Sequence, residues 1–540
     1  MISYKAKKSL LYTELDLPRR NSFFDYVHRK FMHNIDTLYY SVTVKNDWKY
    51  DSNCILFKSY LSSFQEKAQR EMELMPVFTT EQMRKDVEMN LTGEWLMNGI
   101  SLSPIYKHDL QKPDKYFVMI APNLPNENTP QLLVQLRSQY LWLKGEKAAV
   151  KESLEEIEEL LSHFAIEIKE VKENRIDYAY HTNYIQNPTS YFKSENLNRM
   201  QCSNFTRWSM EGNFRGQFDV EVDYVTLGRK KSNNLFFRVY DKTKEVIQQG
   251  YKQFFIQIWY LEKMISYFDM YCIEKAFLNP SADNFKYLDV ARLEFYLDYG
   301  SDDEIKKEIN ELLKDQSRDY EKIIKLADYL TPPVTKVLNV ELETKRKFYS
   351  SMDNSMAALK VSSVDSTHYS AKLFRILDNK ALFHDYITCN NGVKGIIRFI
   401  DYKAKNRLGK PWANKNDFPT SDFWKRLQGV GVDWERDDVE LIREYQQNLS
   451  LSLIKKRLVN QMSTFSLYAH GDDVQNDLFH DVLDFMSTIN ETVLHEANEY
   501  KKKKLLQISG RLDKVEGQHK LETKFKIVNT ETGEALKAYS

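Results

Sequence analysis

The stretch LFFRVYDK, residues 235–242, alternates apolar and polar side chains. In an extended strand successive side chains point to opposite faces, so Leu235, Phe237 and Val239 share one side and Phe236, Arg238 and Tyr240 the other. Lys242 follows on that second side if the strand continues. Two further stretches divide in the same way. In RIDYAYH, residues 175–181, Ile176, Tyr178 and Tyr180 lie opposite Arg175, Asp177, Ala179 and His181. In VARLEFYL, residues 290–297, a strand would set Ala291, Leu293, Phe295 and Leu297 opposite Val290, Arg292, Glu294 and Tyr296. If the three strands are neighbours in one antiparallel sheet, a tyrosine, an arginine and two carboxylates converge on one face.

Outward from this centre, IDTLYYSVTV (35–44) is rich in β-branched and aromatic residues and opens a sheet, and YFVMIA (116–121) adds a buried strand. The spacing of Leu132, Leu133, Leu136, Tyr140 and Leu143 predicts a helix from Thr129, with a second, acidic helix over 146–162. Past Gly300 the apolar spacing is helical over 302–314, 320–329, 371–383, 437–462 and 473–504. The expected fold is therefore α+β: an antiparallel sheet with helices packed on one face, followed by a mostly helical C-terminal region. Its expected divisions are an N-terminal arm (1–34), an α+β domain (35–330), a break at Pro332-Pro333, a helical accessory region (334–510) and a polar tail (511–540).

Lys plus Arg and Asp plus Glu number 77 each, so the chain as a whole lacks the basic excess that marks many nucleic-acid binders. Locally the balance differs. Between residues 226 and 252 seven basic residues stand against two acids, a net of +5 that could hold phosphates or form a solvated face. No run approaches the roughly 18 apolar residues of a membrane span, and the first residues lack a signal-peptide core. The expectation is a cytoplasmic protein with no membrane association. The four cysteines form no CxxC pair, and no Walker loop or paired-histidine metal motif is present.

Cleaving a phosphodiester needs a nucleophile, a cation against the charge that builds on the non-bridging oxygens, and carboxylates to hold that cation. Tyr240, a hard divalent ion, and Asp177 with Glu294 would supply these. Arg238, about 6.6 Å from Tyr240 along the same face, is spaced to grip the scissile phosphate. Asp177 and His181 lie about 13 Å apart in a regular strand and cannot share one metal without a bulge, which leaves His181 as a neighbour or as the acceptor of another proton. A lone strand tyrosine is usually a packing residue, and an Arg and Glu two apart are usually an ion pair. The joint pattern carries the argument.

The order of NRIDYAYH (174–181), TLGRKKSNNLFFRVYDKTKE (226–245) and ARLEFYL (291–297) resembles the rolling-circle replication initiation factors of the Rep_trans type, which include plasmid and phage initiators and conjugative-element relaxases. The resemblance covers about residues 30–310. It implies a metal-dependent tyrosine DNA endonuclease that nicks one strand at an origin, with Tyr240 left joined to the 5′ phosphate and a free 3′ hydroxyl that primes synthesis. It implies Mg²⁺ or Mn²⁺ as cofactor, with Asp177, Glu294 and an early-strand acid, Asp36, as metal ligands. Simple alternation would put Asp36 with Leu38, Tyr40 and Val42, facing the core, unless the strand starts after it. On the same resemblance Arg238 and Lys242 are expected to assist the nucleophile, and Arg175, Arg229, Lys230, Lys231, Lys244 and Arg292 to face DNA, both as origin duplex and as single strand. Where the family often carries a second acid after the first motif, this chain has His181. A host helicase and a second copy of the chain are candidate partners for the helical half. Two other readings use the same residues: a non-catalytic DNA-binding replication regulator with the same fold, and a structural hydrogen-bond network around Tyr240.

Overall fold

The computed structural model describes residues 27–73, 88–90, 95–98, 105–112, 114–124, 129–186, 188–192, 200–203, 205, 208–215, 219–228, 234–248, 252–279, 287–314, 320–393, 395–410, 412, 414–431, 434, 439, 441, 461, 527–528 and 535–536. The chain divides into two compact units, 1–443 and 444–540. In the second, the described residues include two short paired strands, Ile527–Val528 and Ala535–Leu536. The helices expected over 437–462 and 473–504 lie outside the described residues, isolated positions excepted.

The first unit is α+β, built on one antiparallel sheet. Its strands are β1 (Phe31–Val44), β2 (Glu88–Asn90), β3 (Leu96–Asn98), β4 (His108–Lys112), β5 (Tyr116–Ile120), β6 (Leu132–Leu136) and β7 (Ile168–Thr182). A short β8 (Gln201–Ser203) belongs to a separate pair, and β9 (Trp208–Arg215), β10 (Asp219–Leu227), β11 (Leu235–Asp241) and β12 (Leu338–Lys345) return to the main sheet. The order across it is β2-β3-β4-β5-β6-β1-β7-β12-β11-β10-β9.

The central strands obey the alternation expected of a sheet with one apolar face. Leu38, Tyr40 and Val42 of β1, Ile176, Tyr178 and Tyr180 of β7, Val340 and Leu342 of β12, and Phe237 and Val239 of β11 are buried in a single core. The helices Glu146–Ser162, Ala371–Asp378 and Lys380–Thr388 cover that face, contributing Leu154, Ile157, Phe374, Leu377 and Phe383. Each such side chain contributes about 1.5–3 kcal/mol on burial. A second aromatic cluster, built from the helices Lys242–Gln248, Gln253–Leu261 and Tyr267–Leu278, packs at the His181 end of the other face. Ser266 caps the last of these helices in a capping box with Asp269, whose carboxylate also accepts the backbone N–H of Thr335.

Three expectations are corrected. The helix expected from Thr129 begins only at Ser138, because Leu132–Leu136 forms β6 between β5 and β1; alternate residues Leu132, Val134 and Leu136 are buried. The VARLEFYL segment is not a strand but the middle of a helix, Tyr287–Tyr299. Both faces of that helix are apolar: Ala291 and Phe295 enter the aromatic cluster, while Val290 and Leu293 enter another formed with the helices Asp303–Lys314 and Tyr320–Leu330. A helix wedged between two cores has no clean 3.6-residue period and mimics alternation over a short window. Finally, Pro332-Pro333 does not separate a sheet domain from a helical one. Eight residues of sheet follow it as β12, hydrogen-bonded between β7 and β11.

Candidate active site

The strand that takes the place expected for VARLEFYL is β12, with the sequence LNVELETK. Its register sets Glu341 opposite Arg238, Asn339 opposite Tyr240 and Glu343 opposite Asp177. Arg175, Asp177 and His181 of β7, Asn339, Glu341 and Glu343 of β12, and Arg238 and Tyr240 of β11 thus lie in three adjacent rows on the face opposite the main core. The division of β7 and β11 into two faces is as the alternation predicts. The missed residues, Asn339, Glu341 and Glu343, alternate strictly with the apolar Val340 and Leu342, a period-two signal at least as clear as that of 290–297.

Tyr240 is the hub. Its hydroxyl donates to Oε2 of Glu341 at 3.2 Å and accepts from Nδ2 of Asn339 at 2.9 Å and Nζ of Lys242 at 3.2 Å. Burial, with Glu341, Glu245 and Asp36 adding to it, pushes the phenol well above its ordinary range, against the opposing pull of Arg238. The free site therefore holds Tyr240 protonated, with a carboxylate already in place to accept the proton. The Arg238 guanidinium hydrogen-bonds the other oxygen of Glu341 and lies over the Tyr240 ring, 5.2 Å from its centroid.

Lys242 begins the helix Lys242–Gln248 rather than continuing β11, yet its ammonium turns back under the strand. It is fully buried and paired with Glu245 at 3.0 Å and Asp36 at 3.6 Å. Burial alone would lower its pKa; Asp36, Glu245 and Glu341 outweigh it, so the ammonium stays charged. Asp36 reaches the site through a β-bulge: Ile35 pairs with Tyr178 but Thr37 pairs with Asp177, which leaves Asp36 as the extra residue. The bulge breaks the alternation that would have faced it to the core. There Asp36 accepts from Ser138 and from Nε1 of Trp142, at 3.1 Å for the latter.

Arg175 grips Asp177 with two parallel bonds, Nε to Oδ1 at 2.8 Å and Nη2 to Oδ2 at 2.5 Å, and its Nη2 also lies 2.9 Å from Glu343. Asp177 is wholly buried, and burial together with Glu341 and Glu343 raises its carboxyl well above the usual carboxylate range in spite of Arg175. His181 is also wholly buried. Its Nδ1 accepts the indole N–H of Trp259 at 3.0 Å. An indole N–H can only donate, so the neutral ring carries its proton on Nε2, and a second proton would set two donors against each other. Burial and Lys242 push its pKa down to about 3. His181 is thus unsuited to accept a proton from Tyr240, and offers an Nε2–H instead.

Three buried polar atoms here have no hydrogen-bond partner among the described residues, Nε2 of His181, Nε of Arg238 and Oδ1 of Asn339, whereas the Glu343 carboxylate is held in ion pairs by Arg175 at 2.9 Å and Lys345 at 3.3 Å. Buried polar atoms are nearly always satisfied, so this concentration marks capacity left over for something that binds. The donors suit a hard divalent cation: two buried carboxylate oxygens on Glu343, beside Glu341 and Asp177. Among the described residues, however, no three His, Cys, Asp or Glu side chains stand grouped as a ready metal cage, and Arg175 and Arg238 lie against the acids.

The remaining expected residues lie elsewhere. Glu294, on the helix Tyr287–Tyr299, accepts from the Tyr287 hydroxyl and lies 3.9 Å from Lys275, so the strand placement on which its metal role rested is overturned. Arg292 is a buried clamp that binds Thr331, Asp289 and Asp328 and is not turned to DNA. Lys244 sits in the first turn of its helix, its backbone N–H on Asp241. Arg229, Lys230 and Lys231 lie outside the described residues.

Neither a protein-family model nor a curated protein matches this chain. Among solved structures it is similar to a rolling circle replication initiator protein from Geobacillus stearothermophilus, with 10% sequence identity and a TM-score of 0.32 over 77% of this chain and 99% of that one. A likeness of that size carries no functional argument. No helix among the described residues is long and apolar enough to cross a membrane.

Proposed function

We propose that this chain initiates DNA replication or transfer by nicking one strand at an origin through Tyr240. The observation that carries the proposal is the threefold contact of the Tyr240 hydroxyl with a proton acceptor, Glu341, and two donors, Asn339 and Lys242. The partners are a carboxylate able to take the phenolic proton and an ammonium and an amide able to hold the resulting anion.

In the proposed reaction Glu341 takes the phenolic proton, and the phenolate, held by Lys242 and Asn339, attacks the scissile phosphorus. A Tyr240–phosphorus bond forms and the phosphorus–O3′ bond breaks. The 3′ oxygen leaves and is protonated to a 3′ hydroxyl, and the 5′ phosphate stays on the tyrosine. Arg238, beside the ring and with Nε unengaged, neutralises a non-bridging oxygen. Asp177 and Glu343 would hold a Mg²⁺ or Mn²⁺ ion, whose chemistry is to draw off the charge that accumulates on the phosphate. The Arg175 bridge would keep these two acids together in its absence.

The test is to incubate the protein with labelled single-stranded DNA and Mg²⁺ or Mn²⁺ and to search by mass spectrometry for a nucleotide-bearing Tyr240 peptide. Tyr240→Phe should abolish the adduct and the nicked product while leaving the fold intact. DNA binding that is indifferent to EDTA and yields no nicked product with either ion would instead support the non-catalytic regulator.

A further inference from the structure

The site just described is electrically balanced. Around Tyr240, the acids Asp36, Asp177, Glu245, Glu341 and Glu343 are matched by Arg175, Arg238, Lys242, Lys252 and Lys345 through short ion pairs. The basic run 226–252, which on sequence could hold phosphates, is thus partly consumed: Arg238, Lys242 and Lys252 are all engaged with internal acids. With a whole-chain charge of zero, neither the molecule nor this site attracts a polyanion over distance.

One described loop departs from this balance. Between β13 (Ile397–Phe399) and the helix Asp422–Gln428, residues 401–417 hold five basic residues (Lys403, Lys405, Arg407, Lys410, Lys415) against two acids (Asp401, Asp417), a net of +3. All five bases are exposed. Among the described residues Lys403, Lys405, Arg407 and Lys410 have no carboxylate partner, whereas Asp401 and Asp417 are occupied by the loop's own backbone and Asn414. The loop is also built. Ile400 bridges Thr420, Arg398 ties its base to the carbonyl of Phe418 at 2.9 Å, and Oδ1 of Asn406 accepts the N–H groups of Leu408 and Lys410. Gly409 makes the turn at φ 72°, a left-handed conformation that favours glycine. Its base is seated on the core face of the sheet, where Phe399 and Trp424 pack on Phe237 of β11, the strand that carries Tyr240 on its other face.

We infer that the 401–417 loop is a second DNA contact, gripping the phosphate backbone of duplex DNA while the Tyr240 face acts on the strand to be cut. The inference rests on the nicking proposal for its partner class. Four cations without partner acids among the described residues, on a loop anchored to the nucleophile's own strand, supply the counterion-releasing attraction that the neutral site lacks.

The experiment uses the full-length chain and a fluorescent 30-base-pair duplex of arbitrary sequence, with binding measured from 50 to 200 mM salt. Replacing Lys403, Lys405, Arg407 and Lys410 together by Ala should lower the slope of log affinity against log salt by about 3–4, since each phosphate contact contributes about 0.9. Leu408→Ala, at the 82% exposed tip, should leave the slope unchanged. Cleavage of a short single-stranded oligonucleotide should be retained by the fourfold variant, which separates this inference from the nicking proposal: loss of the duplex slope without any cleavage by the parent protein would sink only the latter. An unchanged duplex slope, or a change confined to single-stranded DNA, would overturn the inference and leave an acidic protein surface as the loop's partner.

Discussion

The hydroxyl of Tyr240 lies 3.2 Å from Oε2 of Glu341, on the neighbouring strand and two residues along from Asn339, which is directly opposite it. Glu341 therefore serves two partners at once, the phenol through one oxygen and Arg238 through the other. Glu341→Gln should slow cleavage of a single-stranded oligonucleotide by about 100-fold or more, the usual range for loss of a positioned base. It should also lower the melting temperature, because Arg238 loses its buried partner. Glu294→Gln should leave the cleavage rate within about twofold, since that carboxylate pairs with Tyr287 and Lys275, away from Tyr240. The reverse order of effects would refute the assignment of β12 to the site.

Asn339 donates to the same oxygen at 2.9 Å. Asn339→Ala removes a donor that gains strength as the phenolate forms, so the single-turnover rate should fall by about 100-fold with little change in DNA affinity. Equal losses in rate and affinity would mean that Asn339 binds substrate instead.

His181 has its pKa lowered to about 3, below the value near 6.5 of an unfolded histidine. Between these values the unfolded chain binds the extra proton and the folded one does not, so folding stability rises with pH from about 3 to 6.5 and is level above. His181→Phe keeps the stacking on Trp142 and the edge contact with Phe255 and should flatten that slope. Chemical denaturation at pH 4.5 and pH 7 reads the difference directly.

Glu173 acts with the opposite sign. Burial raises its carboxyl to about 7, above the unfolded value near 4.5. The folded state holds the proton more tightly, so stability is greatest below about 4.5 and is lost as pH rises toward 7. Glu173→Gln should be more stable than the parent at pH 8 by at most about 3 kcal/mol and indistinguishable from it at pH 4. A Glu173→Gln variant no more stable than the parent at pH 8 would show that Glu173 is not strained.

Ser266 tests the aromatic cluster apart from the chemistry. Ser266→Ala removes one half of the capping box and should cost about 1 kcal/mol in denaturant unfolding, with cleavage per folded molecule unchanged.

Much of the site was legible before any coordinates. Strict alternation in residues 175–181 and 235–240 was enough to put Arg175, Asp177, His181, Arg238 and Tyr240 on one surface and Ile176, Tyr178, Phe237 and Val239 beneath them, because the period of a strand is set by local backbone geometry alone. The same rule failed at Asp36, where a bulge that only pairing with β7 creates turns the residue over. It failed again at 291–297, where burial on both sides of a helix imitates a strand.

The amino-acid sequence by itself determined which side chains could share a face within each strand, the absence of net charge, and the amphipathic helices expected over 146–162, 302–314 and 320–329 and found at Glu146–Ser162, Asp303–Lys314 and Tyr320–Leu330. Only the tertiary structure decided which strands are neighbours. It brought residues 338–345 between β7 and β11 and so chose Glu341 and Glu343 over Glu294. The reason is physical: strand pairing is a long-range contact whose stability comes from packing and hydrogen bonds made with distant segments, and no local pattern records which of several compatible segments will win.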